Sequence, residues 1–176
     1  MVLLVTIRAT GEDKRFILAE RDKPAVCVVV VPRLDRPSYA YAAEELTNYV
    51  KRITGTSLAV VRAPCGGTVR EVVLDASDAQ GEDGYRLRVE GNTLRIAGGR
   101  RGILYGVYAL LEEYGGCDWF ASWHEVVPEA DAFSVPASLD VTEKPAFEMR
   151  FTNWRDVSQH PDFAARLRIN GFALGL

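Results

Sequence analysis

The segment TLRIAGGRRGILYGVYALLEEYGG, residues 93–116, constrains the fold most, because it joins a strand pattern to a helix pattern through a glycine-rich turn. Apolar and polar residues alternate over Thr93–Ala97, which is typical of a half-buried strand. From Gly102 to Tyr114 the apolar residues follow a helical period, and two glycines close the run. Strand, glycine loop and helix in this order are also the layout with which nucleotide-binding proteins hold a phosphate.

The glycine spacing argues against a phosphate site. The dinucleotide fingerprint G-x-G-x-x-G needs an alternating first pair, whereas the glycines here are Gly98, Gly99 and Gly102. The turn also lacks the Gly-Lys-Ser/Thr sequence of a P-loop. We therefore predict that the loop serves the fold, with Gly102 and Gly106 letting the helix lie close to the sheet. Arg100 and Arg101 are expected to point to solvent. An anion held by the free N–H groups of the helix start is the less favoured alternative.

Strand patterns outnumber helix patterns, and hairpins are mixed with crossovers. Tyr85–Val89 and Thr93–Ala97 alternate around Gly91-Asn92, which predicts a two-residue hairpin turn. This combination predicts an α+β fold in which two helices cover a mixed β-sheet. Further strands are expected at Val2–Ile7, Arg15–Leu18, Ala25–Val31, Leu58–Arg62, Glu71–Asp75, Asp118–Phe120, Glu125–Val127, Phe133–Val135 and Leu139–Val141.

The first of the two helices is predicted over Tyr39–Ile53, where the apolar residues recur on one face. Ser38 is expected to cap its N-terminus and Gly55 to end it. The second helix is the Gly102–Tyr114 run already described. Together they supply the helical layer of the predicted fold.

The pattern changes near residue 142, which divides the chain into two predicted units. Residues 1–141 form the α+β domain, and residues 142–146, beginning TEKP, read as a linker. Residues 147–176 then show a strand, a helix over Phe163–Ile169 and a second strand, the opening of a repeating α/β unit. Such a unit cannot bury both its faces alone, so we expect neighbouring elements that belong to a longer natural protein.

Composition excludes several function classes. The chain has 176 residues, 48% hydrophobic and 26% charged, with a formal net charge of −3, which predicts a folded domain with no nucleic acid partner. No run of about 20 apolar residues predicts a membrane span. Cys27, Cys65 and Cys117 match no zinc or redox spacing, and His124 and His160 are expected at the surface. No metal and no cofactor are predicted.

Two long stretches resemble a known family. YAAEELTNYVKRITG, and DGYRLRVEGNTLRIAGGRRGILYGVYALLEEYGGCDWF after it, resemble the N-terminal domain of large bacterial glycoside hydrolases. The nearest are family 67 α-glucuronidases, family 20 β-hexosaminidases and a related group of gut-bacterial proteins. The shared features are the ITG helix end, the Asp83-Gly84 hairpin strand, the glycine helix start with Tyr105, and Trp119 after the helix.

The resemblance implies a domain that stands ahead of a (β/α)₈ catalytic barrel. PAFEMRF resembles the entry to the first barrel strand, and FAARLRINGFALGL resembles its first helix and second strand. Family 20 enzymes hold the non-reducing sugar with an arginine on that first strand, and Arg150 stands at the matching position. Trp154 and Arg155, just beyond it, are the other predicted substrate-binding residues. The implied partners are the chain's own C-terminal barrel and a glycan bound by the full protein, exported to the periplasm or secreted.

No catalytic residue is predicted within this chain. Glycoside hydrolysis ordinarily needs two carboxyl groups that flank one bond at a defined separation. The pairs Glu44-Glu45 and Glu112-Glu113 are sequence neighbours on helices, so their side chains diverge. We expect them on solvated helix faces. The predicted function is therefore a non-catalytic accessory domain of a carbohydrate-active hydrolase, which packs against and supports the barrel.

One alternative function stays open. A free-standing carbohydrate-binding or protein-interaction module would need an exposed aromatic surface, and CDWFASWHE supplies Trp119, Phe120 and Trp123. Aromatic residues placed after a helix more often close a core or contact a neighbouring domain. The sequence favours that second role for the cluster.

Overall fold

Hairpins and crossover connections are mixed along the chain, as the strand and helix patterns predict. The structure is a computed structural model that describes residues 14–171. Within this range the strands are β1 Arg15–Glu20, β2 Cys27–Val30, β3 Ala59–Val61, β4 Arg70–Ala76, β5 Tyr85–Glu90, β6 Thr93–Gly98, β7 Asp118–Ala121, β8 His124–Val126, β9 Ala132–Pro136 and β10 Asp140–Glu143. The helices are α1 Pro37–Thr54, α2 Gly102–Glu113, α3 Arg155–Gln159 and α4 Pro161–Arg166. The predicted strand Val2–Ile7 lies outside the described residues.

A six-stranded mixed sheet in the order β10-β5-β6-β4-β2-β3 forms the centre of the domain. β2 runs parallel to both β3 and β4, and β4 runs parallel to β6. β5 pairs antiparallel with β6 and with β10, and Gly91 adopts φ 58° in the β5–β6 turn. The prediction of an α+β fold with a mixed sheet is confirmed, and so is the hairpin. Two ribbons, β1–β9 and β7–β8, lie beside the central sheet.

Helices α1 and α2 pack on each other, and α2 also packs on β5 and β6. α1 ends at Gly55 with a left-handed φ of 77°, as predicted. The predicted cap at Ser38 is wrong: Arg36 precedes the helix and Pro37 occupies its first turn, where proline's fixed φ is favourable. Gly106 explains the close approach of α2, because a Cβ there would lie 2.8 Å from Ile96 Cγ2.

The end of the chain departs from the expected start of a barrel, which is not confirmed. Residues 147–151 form no strand in the described structure, and the first two residues of the predicted linker belong to β10. α3 and α4 fold back so that Val157 and Phe163 are fully buried in the same core as α1 and α2. The predicted second barrel strand falls at residues 172–176, outside the described range. The helical part of the tail therefore shares its core with α1 and α2, and the start of a barrel stays a prediction.

Candidate functional site

The loop between β4 and β5 places the carboxylate of Asp83 among three other side chains. Asp83 Oδ1 accepts a hydrogen bond from Arg101 Nε at 2.5 Å, and its Oδ2 accepts one from Arg150 Nη2 at 2.7 Å. Asn170 Nδ2 donates to the same Oδ2 at 2.5 Å. We call these four residues the Asp83 cluster. It joins the loop before β5, the start of α2 and the C-terminal segment at one point.

Arg150, the predicted sugar-binding residue, is fully engaged within the protein. Its Nε donates to the carbonyl of Arg168 at 2.6 Å, and its Nη1 donates to the carbonyl of Phe147 at 2.8 Å. The guanidinium carbon also lies 5.7 Å from the centroid of the Tyr105 ring. All three nitrogens therefore have a partner, and the group is held in one orientation. Substrate contact by Arg150 stays a prediction.

The charge state of the cluster follows from its partners. The Asp83 side chain is largely buried, and burial alone would raise its pKa. Hydrogen bonds from Arg150 and Arg101 outweigh that effect and lower the pKa of Asp83 below its ordinary value of 3.8. A general acid for glycoside hydrolysis needs a raised pKa. Asp83 is therefore ionised at neutral pH, which suits an anchoring role better than that of a proton donor.

An open pocket of about 390 Å³ lies against the Asp83 cluster. Glu82, Lys144, Phe147 and Glu148 line it together with Asp83, Arg101 and Arg150. Glu82 is itself paired with Arg101 at 3.1 Å. The lining includes neither Trp154 nor Arg155, so the structure does not bring the three predicted substrate-binding residues into one pocket.

The glycine loop occupies the other side of this cluster and serves the fold, as predicted. The backbone N–H groups of Arg101 and Gly102 both donate to the carbonyl of Glu82, at 3.0 and 2.7 Å. These are the donors that a phosphate would need, and the protein already uses them. A Cβ at Gly102 would collide with the carbonyl oxygen of Gly84. The prediction of a solvent-facing side chain holds for Arg100, which is exposed, and is wrong for Arg101, because its guanidinium pairs with Asp83.

Comparison with known proteins assigns this arrangement of strands, glycine loop and helices to a family. Residues 24–114, slightly more than half of the 176-residue chain, match the sequence model described as glycosyl hydrolase family 20, domain 2. The chain belongs to this family. No curated protein matches the chain. The family 20 domain contains β2 to β6 and both long helices, which carry all the predicted motifs except Trp119.

Solved glycoside hydrolases share the fold of the family 20 domain. A GH20 exo-β-N-acetylglucosaminidase from Vibrio harveyi is similar with a TM-score of 0.56 and 15% identity, over 90% of this chain and 22% of that one. A GH20 β-N-acetylhexosaminidase from Streptomyces coelicolor A3(2) is similar with a TM-score of 0.58 and 18% identity, over 88% of this chain and 32% of that one. A family GH115 4-O-methyl-α-glucuronidase with specificity for decorated arabinogalactans is similar with a TM-score of 0.60 and 13% identity, over 86% of this chain and 25% of that one. The chain thus spans a third or less of each of these proteins.

A second polar cluster fixes α4 to the family 20 domain. Glu45 Oε2 accepts a hydrogen bond from Tyr108 Oη at 2.8 Å and pairs with Arg166 Nη2 at 3.4 Å. The prediction of a solvated face is wrong for Glu45, which is only 7% exposed. Its sequence neighbour Glu44 is exposed, as predicted. The helical period separates the two carboxylates, and only Glu45 turns inward to α2 and α4.

The aromatic cluster around β7 divides between core and surface. Trp119 is buried, and its Nε1 donates to Tyr49 Oη at 2.8 Å. Phe120 and Trp123 are exposed, by 56% and 79%. Trp154 is half-exposed, with its ring edge-to-face against Phe163 at 5.6 Å. Trp119 therefore closes the core, whereas Phe120 and Trp123 are available to a ligand or partner.

Neither a metal centre nor a membrane span is found within residues 14–171. This part of the chain has no group of three or more His, Cys, Asp or Glu side chains placed to hold a metal ion. Its helices are too short or too polar to cross a bilayer. Of the cysteines, Cys27 and Cys117 are buried and Cys65 is exposed, and all three are free thiols.

Proposed function

We propose that this chain is a non-catalytic accessory domain of a glycoside hydrolase, and that it packs against and supports a (β/α)₈ catalytic barrel. Residues 1–141 form the accessory domain in this proposal, residues 142–146 the connection, and residues 147–176 the beginning of the barrel. The family match and the shared fold with solved hydrolases support the assignment to a glycosidase. The packing role rests on one surface.

That surface is a strip of large apolar side chains that follows β10. Phe147, Met149, Phe151 and Trp154 are between 47% and 75% exposed, four within eight residues. Such concentrated apolar exposure marks an interaction site, because water-facing surfaces of monomers rarely carry it. Phe147, Met149 and Phe151 also recur at every second residue, the spacing that puts side chains on one face of a strand. We call this set the barrel-facing strip.

The exposed, alternating apolar side chains of the strip are what we expect of a barrel strand before the other strands and helices of the barrel cover it. A strand of a (β/α)₈ barrel is covered by side chains on one face and by helices on the other, so its apolar residues become buried only in the complete barrel. The Asp83 cluster holds this segment to the accessory domain through Arg150. In the proposed enzyme, the Asp83 cluster fixes where the barrel begins relative to the accessory domain.

The proposed enzyme acts on glycans. Its substrate class follows from the similar solved proteins, which include hexosaminidases and a glucuronidase, so we place hexosamine or glucuronic acid at the bond that is cleaved. The paired carboxylates that hydrolysis needs are assigned to the barrel. Within the described chain, Asp83 is held ionised by Arg101 and Arg150, which suits anchoring better than acid catalysis.

A turnover assay tests this function. The 176-residue chain and a longer protein that carries the barrel would each be incubated with 4-nitrophenyl β-N-acetylglucosaminide and with an aryl α-glucuronide. We expect release of nitrophenol by the longer protein alone. Hydrolysis by the 176-residue chain at a comparable kcat would show a complete active site within it and overturn the proposal.

A further inference from the structure

The β7–β8 hairpin presents an aromatic surface that the accessory role leaves unused. Along β7, Trp119 and Ala121 turn inward, while Asp118 and Phe120 face solvent. Trp123 lies in the turn between the strands and is 79% exposed. We propose that the outer face of this hairpin, with its turn, is a binding platform for the sugar rings of a glycan. The glycan class rests on the proposed function; the platform itself rests on the geometry below.

The hairpin is anchored to the core from its inner side. Trp119 donates to Tyr49 Oη at 2.8 Å, and Glu125 on β8 accepts from Arg52 Nη1 at 2.6 Å and from Tyr49 Oη at 2.5 Å. Inner-face residues of both strands are therefore tied to α1. These contacts fix the backbone of the hairpin, and with it the position of the side chains on the outer face.

The turn of the hairpin is fixed as well. Ser122 donates through its backbone N–H to Asp156 Oδ2 at 2.9 Å and through its hydroxyl to Oδ1 at 2.6 Å. This bidentate contact ties the residue before Trp123 to the first turn of α3. A rigid aromatic platform lowers the entropy lost on binding, because the backbone is already ordered.

The outer face mixes aromatic and polar groups in the way that sugar recognition needs. A sugar ring offers an apolar face of C–H groups, which packs on aromatic rings, and an edge of hydroxyls. Phe120 stacks obliquely on His124, with ring centroids 5.6 Å apart and an interplanar angle of 31°. The exposed imidazole of His124 and the exposed carboxylate of Asp118 can exchange hydrogen bonds with hydroxyls beside the rings.

The same mixture disfavours a protein as the occupant. The centres of protein–protein interfaces are depleted in charged residues, and here Asp118 flanks Phe120 on the same strand face. In the barrel-facing strip, by contrast, the alternate residues Phe147, Met149 and Phe151 are all apolar. The two surfaces differ in chemistry, so we assign the strip to the barrel and the hairpin face to a glycan.

Affinity electrophoresis of the 176-residue chain tests the platform. Native gels would contain arabinogalactan, pectin or soluble N-acetylglucosamine oligomers, and a blank gel would give the reference mobility. We expect retardation in at least one glycan gel and a roughly tenfold weaker affinity for both Trp123→Ala and Phe120→Ala. Phe147→Ala removes another exposed aromatic, on the barrel-facing strip; it is the matched control and should bind like the wild type.

The outcomes separate this proposal from the accessory function. Thermal melts should show that Trp123→Ala folds normally, since its side chain is mostly in water. Unretarded wild type in every gel, or binding that Trp123→Ala leaves unchanged, would overturn the platform. Loss of binding in Phe147→Ala instead would overturn it too, by moving the site to the strip. The turnover assay tests the glycosidase assignment independently; of these outcomes, only a glycan site on the strip would also count against the assignment of the strip to the barrel.

Discussion

Asp83 and Arg150, 67 residues apart in sequence, form an ion pair with 2.7 Å between Oδ2 and Nη2. The pair connects the loop before β5 to the segment that leads into the C-terminal helices. Arg101 binds the other carboxylate oxygen, so one acid compensates two guanidinium groups. The Asp83 cluster is consequently a junction between the domain and the residues after it.

Asp83→Asn is expected to lower the free energy of unfolding by about 1.5–3 kcal/mol, the range for hydrogen bonds to charged groups. The substitution leaves Arg101 and Arg150 without their shared counter-charge. Urea denaturation of the purified chain measures the effect. Asp78→Asn, an exposed acid in the same loop, is the control and should change the stability little. Equal stabilities for the two variants would contradict the claim that the Asp83 cluster stabilises the domain.

Stability should also fall at acid pH. The pKa of Asp83 is lowered below 3.8, and the pKa of Glu125 is lowered below 4.5 by hydrogen bonds from Tyr49 and Arg52 that outweigh the effect of burial. A folded-state pKa below the unfolded value stabilises the protein above the unfolded pKa, and the contribution is lost as pH falls through the folded pKa. We expect the free energy of unfolding to decline from about pH 5 toward about pH 2.

Urea melts across that range, with wild type and Asp83→Asn in parallel, measure this dependence. The variant lacks one of the carboxyl groups whose pKa is lowered, so its decline should be shallower. A wild-type stability that rises on acidification would contradict the assigned direction of both pKa shifts.

Gly106→Ala should destabilise the domain, opposite to the usual effect of alanine in a helix. Alanine normally gains up to about 1 kcal/mol over glycine within a helix. Here the added Cβ would lie 2.8 Å from Ile96 Cγ2 and 3.2 Å from Tyr85 Cβ, so overpacking should cost about 1–3 kcal/mol. Thermal melts decide the sign. Glu113→Ala, on the exposed side of the same helix, should be close to neutral, and a Gly106→Ala variant more stable than wild type would refute the tight packing.

Helix α4 is expected to contribute to stability through the core that it shares with α1 and α2. Phe163 is fully buried, so Phe163→Ala should cost about 3–5 kcal/mol. Met149→Ala, in the exposed strip, should cost less than about 0.5 kcal/mol. A near-neutral Phe163→Ala in denaturant melts would mean that the C-terminal helices contribute nothing to folding.

Local patterns predicted most of the fold. The two long helices, the β5–β6 hairpin and the glycine loop follow from periodicity, turn residues and glycine positions, all of which act over a few residues. The burial of Glu45 could not be foreseen, because its partners Tyr108 and Arg166 are distant in sequence. The pairing of Arg101 could not be predicted for the same reason. Its partner Asp83 comes from another loop.

The expected strand over residues 147–151 shows the limit of a pattern argument. The apolar side chains do alternate in the structure: Phe147, Met149 and Phe151, each two residues apart, are all exposed. A strand also needs a partner backbone, and here the carbonyl of Arg150 accepts from the N–H groups of Asn170 and Gly171 in the tail. The alternating sequence pattern therefore predicts which apolar side chains share a face, but it does not predict which backbone pairs with the segment.

The rate of Met149 oxidation tests most directly whether the barrel-facing strip is covered by a catalytic barrel. Met149 is 75% exposed in this chain, and exposed methionines oxidise readily to the sulfoxide. Mass spectrometry after brief peroxide treatment would compare the 176-residue chain with a longer protein that carries the barrel. We predict fast oxidation in the chain and strong protection in the longer protein. Equal rates would contradict the accessory-domain account.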